Sequence, residues 1–567
     1  MARVTVKACP SPTCIFLAFD WEDGAKHADF LGFAIQRDPG FAADKKPQFL
    51  FNKLDFVPIA EGAKPKGSNL APIQKFNWWD SGFTTQDRGK TFKYTVFPVR
   101  GTGADDLNLQ RLEAGSITLA LPRILDGKIA SYFNRAVVSS QSFLSINAKD
   151  LATQMKWLAN GLENAIPEML DESDAFDCAI YHLSDKLWVL PSFAKFKGRG
   201  SITYFSKAAD TKSEAGIRFL AKASNIATHK RDAIAKLMHD KFIVSYQSGR
   251  EAAVLMGSTN FTPEAQTIQA NLLHILHSPQ LADLYAQRAK MLAANRKTAE
   301  IAKFAGWHVA NDIPDSRIRV YFTPEPGKQR EFLDAVTKAV QIAKSSVLFC
   351  MFTASDTDLM NAIFAKGDSK DHLIYGLINS IDDPDKPTKS GKKRKLPKIA
   401  ATIYHRSSSK DPDTLACAAF TQQPPRGFLP ELRSIDTSSF DVSAETQAEK
   451  RAHGPPPIHV HHKFIVIDGD TDQPTIYSGS PNFSTSSENG NDENVLEIKG
   501  NVRLAQVYVA EFMRLYNHYR ARALWDKSHE GGRAGGDALV LKRTRDGWAK
   551  LAYSPGTKEF LARKRGL

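Results

Sequence analysis

The sequence predicts an α/β protein. Two α/β/α sandwich halves are expected to pack pseudo-symmetrically behind a small all-β sandwich. Three observations predict this. Short strand-like runs separated by Gly, Pro and Asp crowd the first 120 or so residues. From about residue 123 strand-like and helix-like stretches alternate, and the pattern restarts near 318. A 23-residue window also recurs at a constant offset, one copy in each stretch.

The elements follow in order. CIFLAFDW (14–21), FLGFAIQR (30–37), IQKFNWWD (73–80), TFKYTVFPVR (91–100) and SITLALP (116–122) are apolar or alternating runs, so residues 1–122 form the β-sandwich. Tryptophans beside aspartates and Tyr94 in an alternating strand make this segment similar to a fibronectin type III or immunoglobulin-like module. Trp78 and Trp79 are expected in core or edge packing, with a binding platform as the alternative. Residues 123–317 form the first half, with a helix over 150–170 and strands in DCAIYHL (177–183) and KFIVSY (241–246). Residues 318–526 form the second, with a helix over 330–344 and a buried strand in SVLFCMF (346–352). It carries insertions near 382–398 and 406–457. Residues 527–567, opening on EGGRAGG and closing on ARKRGL, read as a basic, partly flexible tail.

Length and composition fit this plan. The 567 residues suggest three or four units, and 42% hydrophobic with 24% charged residues is a globular composition. A formal charge of +13 favours anionic partners, whether nucleic acid, an anionic lipid surface met peripherally or phosphorylated small molecules, or else simply solubilises the chain. The run Lys392-Lys393-Arg394-Lys395 is a solvated loop or a contact for such anions. Five cysteines, Cys9, Cys14, Cys178, Cys350 and Cys417, imply no disulfide framework and fit a reducing compartment. Cys9 and Cys14 lack the second pair that a zinc site needs. The N-terminus reads as strands rather than as a signal peptide, and no apolar run is long enough to span a membrane. A cytoplasmic location is expected, with export lacking a cleaved signal left open.

The chemistry lies in the repeat. HDKFIVSYQSGREAAVLMGSTNF (239–261) and HHKFIVIDGDTDQPTIYSGSPNF (461–483) align without a gap, with nine identities at an offset of 222. A shared fold explains the Phe-Ile-Val runs. It does not explain paired His, Lys and Asn, which are costly to bury without partners. Residues i and i+2 of a strand share a face, so His239 projects with Lys241, and His461 with Lys463. A second strand and a Gly-Ser turn return Ser258 and Asn260, or Ser480 and Asn482, toward the first. Two half-sites in one chain require no oligomer.

These windows resemble the paired HKD motifs, H-x-K-x4-D followed by G-S-x-N, of the phospholipase D superfamily. The second copy is complete in His461, Lys463, Asp468, Gly479, Ser480 and Asn482; the first has Tyr246 where the family Asp stands. The resemblance spans about 123–525 and implies a metal-independent phosphodiesterase that needs no cofactor. Lysines and asparagines then hold the non-bridging oxygens, with Ser258 and Ser480 beside them as substrate-binding residues. One imidazole attacks phosphorus to give a phosphohistidine, and the other protonates the leaving alkoxide and later deprotonates water or an acceptor alcohol. Asp468, five residues beyond Lys463, is a structural partner rather than a reacting group.

The two copies differ eleven residues after each Asn, where Glu493 follows Asn482 and Asn271 follows Asn260, with Gln269 nearby. Where such groups serve the opposite half's histidine, Glu493 backs His239, and Asn271 or Gln269 backs His461. The resemblance then makes His239 the nucleophile and His461 the acid, as in tyrosyl-DNA phosphodiesterases, which also lack the first Asp. Glu493 as a strand-flanking surface charge is the alternative. His459, His461 and His462 look like a metal cluster, but neighbours on a strand face opposite ways, so no metal is assigned. His274 and His453 read as surface or core residues. The leading expectation is cleavage of a phospholipid-type diester, with transphosphatidylation to an alcohol. The rivals are a nuclease or DNA-end-processing phosphodiesterase, and a non-catalytic binding protein with a relict site.

Overall fold

The structure is a computed structural model. It describes residues 2–567 apart from 42–43, 53, 59–63, 137–150, 207–209, 223–224, 328, 354–355, 381–398, 409–410, 419–459 and 530–539. The Lys392–Lys395 run, His453, His459, the insertion 382–398 and most of 406–457 lie outside the described residues.

The amino-terminal segment is all β. Thr5–Pro10, Ile15–Asp20 and Asn77–Asp80 form one antiparallel sheet; Gly115–Ala120, Thr91–Arg100, Phe30–Asp38 and Gln48–Phe49 form a second, with Asn108–Leu109 on Thr91–Arg100. Alternation aims Phe92, Tyr94 and Val96 inward, where they meet Leu17, Phe19 and Phe33 in one core. The Tyr94 hydroxyl donates to Asp80 Oδ2 at 2.7 Å, and Arg37 pairs with the same carboxylate at 3.1 Å, tying the two sheets together. Trp78 and Trp79 stack on each other at 5.0 Å; Trp78 packs on the sandwich core and Trp79 on the core of the α/β body.

The α/β body contains two large mixed sheets with matching strand order. In the first, Ile129–Phe133, Leu272–Leu276, Arg250–Gly257, Lys241–Gln247, Ala175–Ile180 and Arg199–Phe205 lie side by side. In the second the same places are taken by Arg317–Thr323, Glu493–Lys499, Thr475–Gly479, Phe464–Ile467, Ser346–Thr353 and Leu373–Ser380. Period two then sorts the side chains into layers. Phe242, Val244, Phe464 and Val466 join Tyr285 and Tyr508, from helices Pro279–Ala293 and Val502–His529, in a core shared by both sheets. Ile243 and Ile465 point outward, onto helices such as Val189–Lys195 and Glu331–Gln341.

Two local expectations are corrected. The helix over 150–170 is broken: Leu151–Ala159 stops at Asn160 and Gly161, whose φ values are +55° and +99°, and the chain resumes as Ala165–Asp171. An Asn-Gly pair takes these left-handed angles at low cost, which ends the helix. The tail is more ordered than its composition suggests. Arg545–Trp548 and Lys558–Arg565 are helical, Trp548 packs against Phe30, Phe33 and Phe76, and Arg563 pairs with Asp20. The basic ending therefore folds back on the sandwich.

The cysteines among the described residues are free thiols. Burial, followed by neighbouring acidic charge, pushes both Cys9 and Cys14 up to about 12, a poor state for binding metal as thiolate. Among the described residues no helix is long and apolar enough to cross a membrane.

Candidate active site

The histidine-bearing segments are exchanged between the halves. Met238 forms a parallel bridge to Asp492, and Ala270 forms the same bridge to Val460. Adding the repeat offset of 222 turns one bridge into the other. The His239 amide donates to the Asp492 carbonyl at 2.9 Å, and the His461 amide to the Ala270 carbonyl at 3.1 Å. This is the reciprocal contact of a two-fold interface, made within one chain.

The rings follow the backbone. His239 Nδ1 donates to Glu493 Oε2 at 2.9 Å, and His461 Nδ1 donates to Asn271 Oδ1 at 2.8 Å. Each imidazole is thus oriented by a side chain of the opposite half, at the two positions the offset relates. Glu493 is fully buried, which rules out a surface charge, and its Oε1 accepts from Asn491 at 2.8 Å. Asn271 is held by Ser258 Oγ donating to Oδ1 at 2.9 Å and by its own Nδ2 donating to Ala265 O at 3.1 Å. The other candidate backing group, Gln269, is buried, and its carbonyl accepts from Asn134 at 2.6 Å.

The lysines are buried and bent back over their own histidines. Lys241 Nζ donates to His239 O at 2.8 Å; Lys463 Nζ donates to His461 O at 3.0 Å and to His461 Nε2 at 3.2 Å. The amide oxygens of Asn260 and Asn482 are buried without a hydrogen-bond partner among the described residues, at symmetric positions. Unpaired buried amides are costly, and a ligand would relieve them.

Electrostatics sets the protonation of the His239–Glu493 pair. Burial, then the charge of Lys241, holds His239 below the usual histidine range, against an opposing pull from Glu493. Burial works against ionisation of Glu493, but His239 and Asn491 outweigh it and hold the carboxyl below its ordinary value. The stable pairing is a neutral imidazole donating Nδ1–H to an ionised carboxylate, which leaves the lone pair on Nε2.

Other expected site residues have different roles. Ser258 Oγ and Ser480 Oγ are engaged inside the protein, accepting from Leu272 N at 3.2 Å and Asn494 N at 3.1 Å. They pin the turn to the neighbouring strand. Asp468, at φ +55°, accepts from the backbone amides of Lys344, Ser345 and Ser346 at 2.7–3.2 Å. Tyr246 meets the same need differently, its hydroxyl donating to Asp177 Oδ2 at 2.6 Å. His462 faces away from His461, against Phe133 and Phe464. His274 is a core residue bonded to Ser131 and Tyr508. No group of three or more His, Cys, Asp or Glu gathers as a metal centre among the described residues.

Three neighbours escaped sequence reasoning. Tyr181 lies 5.0 Å from the His239 ring with Lys241 Nζ 5.2 Å from its own centroid; Phe352 stands likewise 5.3 Å from His461 and from Lys463 Nζ. Each ends the strand beside its half's His-x-Lys strand, where an aromatic reads as ordinary core. Next to Tyr181, His182 is buried, its Nδ1 paired with Asp210 at 2.5 Å and its carbonyl accepting from Phe261, the residue after Asn260.

Residues 336–516 match the family described as cardiolipin synthase, PLD-like domain. No curated protein matches the chain. Among solved structures, the chain is similar to a phosphatidylserine synthase of Haemophilus influenzae Rd KW20, at 13% identity over 67% of this chain and 90% of that one, with TM-score 0.38. It is also similar to a polyphosphate kinase of Porphyromonas gingivalis, at 9% identity over 66% of this chain and 52% of that one, with TM-score 0.35. A third is the yeast tyrosyl-DNA phosphodiesterase, at 11% identity over 59% and 84%, with TM-score 0.31. The chain spans about half the length of the polyphosphate kinase.

Proposed function

We propose that this chain, whose residues 336–516 match a PLD-like family, is a phosphodiesterase acting on phospholipid-type diesters through a phosphohistidine on His239. The observation that carries the reading is the crossed pair of clamps, Glu493 on His239 and Asn271 on His461. It gives two buried imidazoles in one interface with chemically different supports.

The steps balance. His239 Nε2 attacks phosphorus and forms the P–N bond while the P–O bond to the leaving alcohol breaks. His461, as imidazolium, gives its Nε2 proton to that alkoxide. Without substrate Lys463 donates to His461 Nε2, which opposes protonation there. An anionic phosphate draws the ammonium to its own oxygens and favours the imidazolium, so His461 is armed by substrate binding. Water or an acceptor alcohol then loses a proton to His461, attacks phosphorus and frees His239. Lys241, Lys463, Asn260 and Asn482 hold the non-bridging oxygens throughout. The aromatic walls Tyr181 and Phe352 favour an apolar-tailed diester over a polymer needing further cations.

In EDTA, wild-type protein given phosphatidylcholine, phosphatidylglycerol, bis-p-nitrophenyl phosphate, and single- and double-stranded DNA is expected to turn over the lipids and the chromogenic diester. Cleavage of DNA with the lipids untouched would overturn the lipid reading in favour of a nuclease, and inertness toward all of them would favour a relict site.

Glu493→Gln tests the assignment of roles. It keeps an acceptor but removes the charge, and kcat/KM is expected to fall about 100-fold. Attack needs neutral His239, whose pKa already lies below the ordinary value. Glu493 is an influence that raises it, so the acidic limb of kcat/KM should move to still lower pH in the variant. A limb that moves upward, or a loss under threefold, would show that Glu493 does not serve the nucleophile.

A further inference from the structure

A cavity lies away from the histidines, with no residue of either half-site on its wall. It encloses about 460 Å³ where the sandwich, the long helix Val502–His529, the strand Leu373–Ser380 and the last two helices meet. That volume suits a small ligand. Five cations, Lys75, Arg520, Lys550, Lys558 and Arg563, line it against two carboxylates, Asp546 and Glu559.

The distribution of partners is more telling than the count. Arg563 is satisfied by Asp20, Asp546 by Arg545, and Lys558 by the carbonyls of Ser369 and His372. Among the described residues Lys75 has a neutral partner, Asn517 Oδ1 at 3.2 Å, with the Trp79 ring 5.9 Å away, and no carboxylate. Among the described residues Arg520 has no carboxylate partner. Enclosure, and then the charge of Arg520, push Lys75 down to about 7. A lysine penalised by a neighbouring cation, with no carboxylate bonded to it among the described residues, is a poor structural device. An anion between the two would remove the penalty.

We infer that this cavity is a non-catalytic binding site for the phosphate group of a small soluble molecule, held by Lys75 and Arg520. A guanidinium fork beside an ammonium suits a tetrahedral oxyanion. The amides of Gln74 and Asn517 stand on the same wall, and Tyr375, Tyr516 and Trp548 leave apolar surface for an organic remainder.

The test is calorimetric titration of the full chain with inorganic phosphate and with pyrophosphate. It is run on wild type, Lys75→Met, Arg520→Ala and, to silence the catalytic centre, His239→Ala. Lys75 and Arg520 are both only partly buried, so both variants are expected to fold. Wild type and His239→Ala are expected to bind equally, and loss of either cation to weaken binding about 10- to 100-fold. Absence of binding to wild type, indifference to Arg520→Ala, or loss of binding in His239→Ala would overturn the inference. So would binding confined to vesicles of phosphatidic acid in phosphatidylcholine, which would mark a membrane contact instead. None of these outcomes depends on which diester the chain cleaves.

Discussion

Alanine at His239 is expected to lower turnover of bis-p-nitrophenyl phosphate by roughly 10⁵-fold, the scale seen when a covalent nucleophile is removed. Alanine at His461 should leave a different mark. The p-nitrophenolate leaving group needs little help from an acid, so the first displacement survives. The second needs a base for water, and the base is gone. A phosphoryl adduct should therefore accumulate on the peptide bearing His239, visible by mass spectrometry of a digest quenched rapidly in denaturant and kept cold at alkaline pH, where the P–N bond survives. The asymmetry follows from the supports: an ionised Glu493 fixes the Nδ1 proton and leaves Nε2 of a neutral ring free to attack. Asn271 orients His461 equally well but brings no charge. An adduct on the His461 peptide, or His239→Ala within tenfold of wild type, would reverse or remove the assignment.

The crossed clamp was legible in the sequence because all its parts lie inside or just after the repeated windows. Once the windows align, Glu493 and Asn271 occupy one position, and a carboxylate facing an amide there is a difference to be read. The serines show a second role that the motif alone does not reveal. A Gly-Ser-x-Asn turn beside a phosphate-binding strand invites substrate contact for the hydroxyl. Yet the turn must also be anchored to the next strand, and a serine whose Oγ accepts a strand amide serves that need first. Tyr181 and Phe352 illustrate a different limit. Their register beside His239 and His461 exists only once Ala175–Ile180 pairs with Lys241–Gln247, and Ser346–Thr353 with Phe464–Ile467. Nothing local separates them from core aromatics. The docking of the basic ending is hidden for the same reason, since the acid that meets Arg563 is Asp20, at the other end of the chain.

Divergence within and just beyond the windows also decides what holds the halves in register. The offset relates Asp240 to His462 and Asp492 to Ala270, so one side of the interface is ionic and the other is not. Asp240 stands between His239 and Lys241, and Asp492 beside Glu493, so any shift of these aspartates moves the nucleophile and its orienting carboxylate. Arg231 Nε donates to Asp492 at 2.8 Å, Asn494 Nδ2 donates to Asp240 at 2.6 Å, and Tyr285 donates to Asn494 at 2.9 Å. Arg288, on the central helix Pro279–Ala293, reaches both acids, at 3.3 Å from Asp492 and 3.7 Å from Asp240, and donates to the Thr323 carbonyl. All four charged groups are fully buried.

Arg288→Met should therefore be the most damaging substitution for stability outside the histidine pair. The thioether fills much of the guanidinium's space, so the loss is mainly one of charge. Two buried carboxylates remain, and Asp240 keeps no cationic partner. Breaking a buried ionic network in this way costs roughly 3–5 kcal/mol, measurable as a lower urea midpoint at unchanged slope. The pH dependence carries the sign. Burial already raises Asp240 to about 6, with Arg288 pulling down and Asp492 pushing up. Without Arg288 the folded value rises further. A raised carboxyl lends stability that is intact below its unfolded pKa and is lost as pH climbs through the folded value. The deficit of Arg288→Met relative to wild type should thus be small near pH 4, where Asp240 is protonated in the variant, and should widen above pH 6. A deficit below 1 kcal/mol at pH 7, or one that grows toward low pH, would mean that apolar packing rather than this ionic cluster sets the register of the two histidines.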